Sequence, residues 1–220
     1  MKSFLANSNI VVVANQFNPS VINQLWLVDF GIVHREEFLP GCVFTDMMVN
    51  VLSEKFSLLV VPEQLQFVPL VESCDQQSLI ESRLGGIIRT IPHTPYAACG
   101  MNFTWFVEPD DLPDFARKLF FVDRSPIHRQ FDTVDSRFGG YMSKSVLGGR
   151  LKLDVKPLTT KQSDGSAKEL MQFGFNFHYE VTDPQKTSDE LLRILSFWDA
   201  ALKLVESSMK TVEEVLECPK

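Results

Sequence analysis

The signatures of well-known catalytic sites are missing from this sequence. It has no phosphate-binding loop, no Gly-x-Ser-x-Gly turn, no His-Glu-x-x-His motif and no dinucleotide-binding fingerprint. Each absence removes one common sequence pattern for binding a nucleotide, activating a serine or holding zinc. We therefore expect a binding or interaction protein in preference to an enzyme, and the sequence predicts no catalytic residue and no cofactor.

Long hydrophobic runs are also missing. A membrane-spanning helix needs about 20 consecutive apolar residues, and the chain has no such stretch. The apolar run at residues 10–14 is too short, and lies too far from the amino terminus, to be the core of a signal peptide. These absences predict a cytoplasmic protein that does not cross a membrane.

Cysteine is scarce, and its four copies are not spaced as a metal-binding or redox pair. We expect free thiols, because an unpaired cysteine behaves as a small apolar residue in a reducing compartment. No histidine stands close enough to a cysteine to suggest a pair of metal ligands. The residues concerned are Cys42, Cys74, Cys99 and Cys218, and the sequence predicts no metal site.

Basic residues are outnumbered, with 21 Lys and Arg against 28 Asp and Glu and a net charge of −7. A surface dedicated to nucleic acid or to anionic lipid needs an excess of positive charge. The sequence therefore does not predict nucleic acid as a partner, although a local basic patch is compatible with an acidic chain.

The clearest pattern in the sequence is the segment 170–181, LMQFGFNFHYEV. Its apolar residues Met171, Phe173, Phe175 and Phe177 alternate strictly with polar residues or glycine. This period of two predicts a β-strand with one buried and one solvated face. The chain must then supply helices for the apolar face, and a function would most naturally use the other face.

The remaining patterns predict two halves with the same order of elements, β-α-β-β-β-α. In the first half, 9–91, strands are expected at 9–17, 47–52, 56–61 and 64–69, with helices beginning at Asn18-Pro19 and at Asp75. In the second half, 96–217, strands are expected at 96–107, 138–146, 150–157 and 170–181, with helices from Asp110 or Asp111 and over 188–217. The least regular stretch, 122–140, is expected to be either functional or mobile.

This order predicts a single α+β domain built of duplicated units, with a largely antiparallel sheet and helices on one face. It resembles the two-repeat fold of the TATA-box-binding-protein-like group in element order, over most of the chain. The resemblance implies a saddle-shaped sheet that is bare on one side. Members that grip DNA use basic concave faces and inserted Phe wedges, whereas the polar residues placed here are mixed in charge, so DNA binding is not carried over.

The last helix carries an unbroken heptad seam that ends in Val205, Met209, Val212 and Leu216. Beyond Val205 the apolar stripe narrows to little more than this seam. One interpretation is a homodimer, or contact with a partner protein, through the end of the helix. The alternative is that the seam packs within its own chain.

The polar side of the predicted sheet supplies the candidate binding residues. A histidine, carboxylates and lysines on an open face could bind an anionic or polar ligand, or carry out acid–base chemistry. Charge pairs between solvated strands explain the same residues equally well. The candidates are Asn102, Lys152, Asp154, Lys156, Asn176, His178 and Glu180.

The sequence thus leaves three hypotheses for function. The first is a non-enzymatic cytoplasmic binding protein with an open polar sheet face and a self-associating last helix. The second is a small-molecule-binding domain or enzyme that uses the polar face, which requires a concave pocket there. The third, nucleic-acid binding through the sheet, fits the acidic composition least.

Overall fold

The fold is built on one antiparallel sheet of nine strands. A computed structural model describes residues 2–161, 165–183 and 185–217, with side chains in the last helix described as far as residue 214. The strands are β1 (Lys2–Ala14), β2 (Val43–Phe44), β3 (Val49–Leu52), β4 (Phe56–Val61), β5 (Gln64–Pro69), β6 (Tyr96–Glu108), β7 (Gly140–Val146), β8 (Gly149–Lys161) and β9 (Ala167–Glu180).

Six α-helices accompany the sheet: α1 (Gln24–Asp29), α2 (Ser73–Thr90), α3 (Leu112–Phe120), α4 (Pro126–Gln130), α5 (Thr187–Leu195) and α6 (Trp198–Glu217). Helix α2 packs on β5, α3 on β9, and α5 and α6 on β6. Alternate strand residues such as Ile10, Phe103 and Phe177 point under these helices and are at most 1% exposed. The predicted α+β class, with helices on one face of an antiparallel sheet, is confirmed.

The order of strands across the sheet is β2-β3-β4-β5-β1-β6-β9-β8-β7. The first long strands of the two halves, β1 and β6, lie side by side at the centre. In each half the chain then crosses to the edge of the sheet and returns toward its own central strand, through β3, β4 and β5 on one side and β7, β8 and β9 on the other, with β2 as an additional edge strand in the first half. The two halves therefore correspond in topology, while their origin by duplication stays a prediction.

Two predicted elements near the amino terminus were misplaced. Strand β1 begins at Lys2 rather than residue 9, because it pairs with β6 from Lys2↔Glu108 onward. The predicted long helix at Asn18 is a 3₁₀ turn followed by the six-residue α1, capped by Asn23, whose side chain accepts the Trp26 N–H at 2.9 Å.

Helix α2 keeps two consecutive glycines in its interior, where glycine normally costs about 1 kcal/mol relative to alanine. A Cβ on Gly86 would lie 3.3 Å from the Ile32 side chain, and one on Gly85 would lie 3.4 Å from Leu192. A methyl group at Gly86 would therefore need a small shift of the Ile32 side chain, whereas one at Gly85 would make an ordinary contact, so close packing bears mainly on Gly86.

The predicted single helix over 188–217 is wrong in one respect, because it breaks between α5 and α6. Gln77 of α2 occupies the break: its amide donates to the Leu195 carbonyl at 3.2 Å and accepts from the Asp199 N–H at 3.2 Å. The side chain supplies partners for backbone groups that the interrupted helix leaves open. A polar residue 118 positions away in sequence thus stabilises the break.

The irregular stretch between α3 and β7 contains the one-turn α4 and packs against the rest of the chain. Its Phe138 is 8% exposed and belongs to the hydrophobic core, and its Asp132 carboxylate lies 2.6 Å from the guanidinium of Arg117 on α3. The described part of the chain contains no helix that is both long and apolar enough to cross a membrane.

Candidate functional site

One side of the sheet has no helix over it in the described part of the chain, and we call it the uncovered face. Strand alternation sends Asn102, Thr104 and Phe106 to this face, while Phe103 points into the core on the other, covered face. The same alternation places Asn176 and His178 on the uncovered face. The predicted division of the central strands into a polar and an apolar side is therefore what the structure has.

Three asparagines form a hydrogen-bonded ladder across the centre of the uncovered face. Asn9, Asn102 and Asn176 are aligned because the register pairs Asn9↔Asn102 and Asn102↔Asn176. The Asn176 amide donates to the Asn102 side-chain oxygen at 2.6 Å, and the Asn102 amide donates to that of Asn9 at 2.8 Å.

The ladder leaves hydrogen-bonding capacity at both ends. A carboxamide has two donors and an acceptor oxygen with two lone pairs, and each bond within the ladder uses only one of these. Asn9, Asn102 and Asn176 are all half-buried rather than buried. The ladder is thus held in place and still offers polar atoms to whatever lies against the sheet.

Charged residues adjoin the ladder on β8. Lys152 is the register partner of Asn176, which makes a continuous row of Asn9, Asn102, Asn176 and Lys152 across four strands. Further along β8, the Lys156 ammonium lies 3.3 Å from the Asp154 carboxylate, and both side chains are about half exposed. An ion pair this exposed contributes little to stability, so it does not need to be structural.

His178 and Glu180 lie on the same face but apart from that ion pair. His178 stands between Gly100 of β6 and Arg150 of β8, and Glu180 is opposite Ala98. The structure therefore brings His178 close to a guanidinium-bearing residue and places Lys156 opposite Gln172, several residues further along β9. The seven candidate residues share one surface without converging on one point.

An apolar patch occupies the other end of the uncovered face. The rings of Phe4 and Phe106 meet edge to face with centroids 6.0 Å apart. Leu170, on the same face by alternation and paired with Leu158, is only 6% exposed although no described helix covers it. The face therefore combines an amide centre, a charged flank and an apolar end.

Most depressions described for this chain lie away from the uncovered face, and one of about 530 Å³ borders its apolar end beside Lys2, Glu108 and Lys168. Another of about 530 Å³ lies at the connection between the halves and is lined by Pro92, His93 and Tyr96 among others. Others of about 520 and 440 Å³ are lined by Leu25 and Phe44 and by Arg117 and Asp132, respectively. None of these includes a candidate residue, so the concave pocket required by the second hypothesis is not among them.

A buried thiol lies on the opposite, covered face of the sheet. Cys99 is fully buried on the covered face, and burial raises the pKa of its thiol to about 12, so the thiol stays protonated. Among the described residues no group of three or more His, Cys, Asp or Glu side chains could hold a metal ion. What the uncovered face offers is hydrogen bonding, charge and apolar area.

The homodimer interpretation requires the side chains of the seam at the end of the last helix to be exposed, and the structure places part of the seam elsewhere. Val205 and Met209 are at most 1% exposed inside their own chain, so a second copy could not reach them without moving α6. Val212 is half-buried against the core, and the side chain of Leu216 lies outside the described residues. As far as Met209, the seam is internal core, which is the alternative that the sequence left open.

Sequence reasoning missed two residues of the site, Asn9 and Arg150. The run of Val11, Val12 and Val13 predicts that the strand beginning at Asn9 is buried on both faces for much of its length, which hides the polar side of Asn9. The alternation of Ser8, Ile10 and Val12, all at most 7% exposed, with Asn7 and Asn9 was the available signal. The expected strand over 9–17 places Asn15 on the polar face of the sheet, but β1 ends at Ala14, so Asn15 follows the strand.

No known family model matches this chain, and no curated protein matches it in sequence. Its function must therefore be argued from the uncovered face and from the chemistry of its side chains.

Proposed function

We propose that this chain is a non-enzymatic cytoplasmic binding protein that recognises another protein through the uncovered face. The observation that carries the proposal is the Asn9–Asn102–Asn176 ladder, a preorganised row of amides on a sheet face that none of the described helices covers. Amides bonded to each other lose little conformational freedom when a partner binds, which lowers the cost of association.

The size of the face favours a macromolecule over a small ligand. With nine strands at about 4.8 Å apart, the sheet is about 38 Å from edge to edge. A stable protein interface needs about 800 Å² from each partner, which such a face can supply, whereas small ligands are held in enclosed cavities. Half-buried Phe4 and Phe106 beside polar amides match the mixed composition of interfaces between proteins.

The cellular location is part of the proposal. Cys42, Cys74 and Cys99 are free thiols in the structure, as is usual for proteins of a reducing compartment. Small-molecule binding at His178 and Glu180 stays a prediction, as does nucleic-acid binding through the sheet, which the likeness to the TATA-box-binding-protein-like group in strand order would suggest. Saturable binding of a metabolite at His178, or salt-sensitive binding of DNA by the sheet, would favour these alternatives.

A photo-cross-linking amino acid at position 104 tests the proposal in the cells that make the protein. Thr104 lies on the uncovered face next to the ladder, whereas Lys203 on α6 is an exposed control on the opposite side. We expect a cross-linked protein from position 104 that is absent from position 203 and is lost when Asn102→Arg is added. Identical products from both positions, or none from position 104, would refute the proposal.

Self-association through α6 is a second proposal, now restricted to the turns beyond Met209. The helix continues from Met209, the last buried residue among those whose side chains are described, to Glu217, about 12 Å at 1.5 Å per residue. Light scattering of the full chain and of a chain ending after Met209 tests it. A dimer that becomes a folded monomer on truncation supports it, and two monomers contradict it.

A further inference from the structure

Strand β7 (Gly140–Val146) forms an open edge of the sheet as far as the described residues show. The opposite edge, β2, is only two residues long, whereas β7 pairs with β8 through seven consecutive residues without a bulge. Natural edge strands are kept from pairing further by shortness, proline, bulges or several charges. Strand β7 has none of the first three and a single charge, Lys144.

The geometry of the β7–β8 turn identifies which backbone groups face outward. Leu147 and Gly148 both have positive φ, 52° and 75°, as in a two-residue type I′ turn, so the strands close on the hydrogen-bonded pair Val146↔Gly149. Hydrogen-bonded and non-bonded pairs then alternate along the hairpin. The N–H and C=O groups of Tyr141, Ser143 and Ser145 therefore point away from β8, toward the free edge.

Positive charge accompanies this edge. The hairpin, residues 140–161, carries five Lys or Arg side chains and one Asp, in a chain whose net charge is −7. Arg150 reaches across β7, because its guanidinium donates to the Ser143 hydroxyl at 2.6 Å. Ser143 and Ser145 are short, so the side chains of Arg150 and Lys152, their neighbours on β8, are accessible from beyond the edge.

We propose that β7 binds an extended acidic segment of a partner protein as a tenth strand of the sheet. The backbone of the segment would pair with Tyr141, Ser143 and Ser145, and its acidic side chains on the uncovered face would meet Arg150 and Lys152. Addition of a strand to a free edge is an established mode of peptide recognition, in which backbone bonds give affinity and side chains give specificity. This proposal is independent of the partner of the asparagine ladder.

The charge of the hairpin decides between an acidic segment and a second copy of this chain. Two copies joined edge to edge would bring two hairpins with the same excess of positive charge side by side, which opposes association. Carboxylates on every second residue of an incoming strand would instead lie beside the cations of one face. Charge complementarity therefore favours an acidic segment over a second copy of this chain as the tenth strand.

Selection from a display library of random ten-residue peptides on the immobilised full chain tests the proposal. We expect enrichment of peptides with Asp or Glu at alternate positions, and we expect their affinity to fall at least tenfold in Ser143→Pro. Proline at this position removes an outward N–H that the native sheet does not use, so the fold is retained, as circular dichroism would verify. Arg150→Gln with Lys152→Gln, which leaves β7 unchanged, should also reduce affinity at least tenfold.

Three results would overturn the proposal. The first is a selection without alternating acidic residues. The second is binding of the selected peptides to Ser143→Pro with unchanged affinity, which would make the attraction one of charge alone. The third is a short DNA duplex that binds more tightly than any selected peptide and equally well to Ser143→Pro, which would assign the cations of the hairpin to nucleic acid.

Discussion

The covered and uncovered faces of the sheet are made by the same strands, yet their side chains differ in environment. Those of the covered face are buried in apolar contacts, whereas polar ones at the centre of the uncovered face form hydrogen bonds near solvent. On β6, Phe103 is 1% exposed and its ring lies 4.7 Å from that of Trp198, whereas the next residue along, Asn102, is half-buried and bonded to two other amides. Stability is therefore expected to depend on the covered face, and recognition on the uncovered one. Substitutions on the two faces can test this division.

The largest expected effect is that of Phe103→Ala, the substitution that best tests the covered face. Removing a fully buried phenylalanine leaves a cavity and should cost about 3–5 kcal/mol. Its matched control is Asn102→Ala, which removes hydrogen bonds at a half-solvated position and should cost about 0.5–1.5 kcal/mol. Urea denaturation of both variants measures the difference, and equal costs would mean that the uncovered face is also part of the core.

A buried hydrogen bond between Trp198 and Gln76 on the covered side provides a second test of the difference between the two faces. The Trp198 indole N–H donates to the Gln76 side-chain oxygen at 3.0 Å, and both residues are buried. Trp198→Phe leaves that oxygen without its donor and opens a small cavity, so we expect a loss of about 2–4 kcal/mol. Trp26→Phe, at a half-buried indole, should cost less than about 1 kcal/mol. A similar loss in both variants would show that the buried contact is unimportant.

The alternation between a buried and a solvated face also explains which strands the sequence could predict. Alternation in β9 and β6 is visible locally, because Phe173, Phe175 and Phe177 repeat every second residue, so both the strands and their polar side were found. The first residues of β1 carry no such signal. Their strand exists because Lys2 to Asn9 pair with β6, and such long-range pairing leaves little trace in a local window.

Two further features of the structure depend on long-range contacts, and for that reason the sequence did not predict them. The ladder exists because the registers of β1, β6 and β9 bring three asparagines into one row, and no spacing in the sequence encodes that alignment. The break after Leu195 is stabilised by Gln77 from another helix, while the heptad pattern runs through it without interruption. The heptad pattern identified the seam as a packing surface, but it could not decide what packs on it. Burial shows that Val205 and Met209 contact their own chain.

An ion pair on the covered side gives the smallest expected effect, a change in the pH dependence of stability. Glu37 accepts two hydrogen bonds of 2.9 Å from the Arg83 guanidinium and one of 2.9 Å from the His34 N–H. Burial acts to raise the pKa of Glu37, but the His34 N–H and then the charge of Arg83 outweigh it, so the pKa lies below its ordinary value of 4.5. The more exposed pair of Asp154 and Lys156 on the uncovered face is the contrast.

A carboxyl whose pKa is lowered by folding stabilises the native state fully above the pKa of the unfolded chain, and this contribution is lost as the pH falls through the folded pKa. Stability should therefore fall on acidification below about pH 4.5, and Glu37→Gln should make that fall shallower. Urea denaturation at a series of pH values measures the slope. Glu36→Gln, at the exposed neighbouring residue, is the control that should keep the wild-type slope. A Glu37→Gln variant with that same slope would show that the ion pair does not couple protonation to folding.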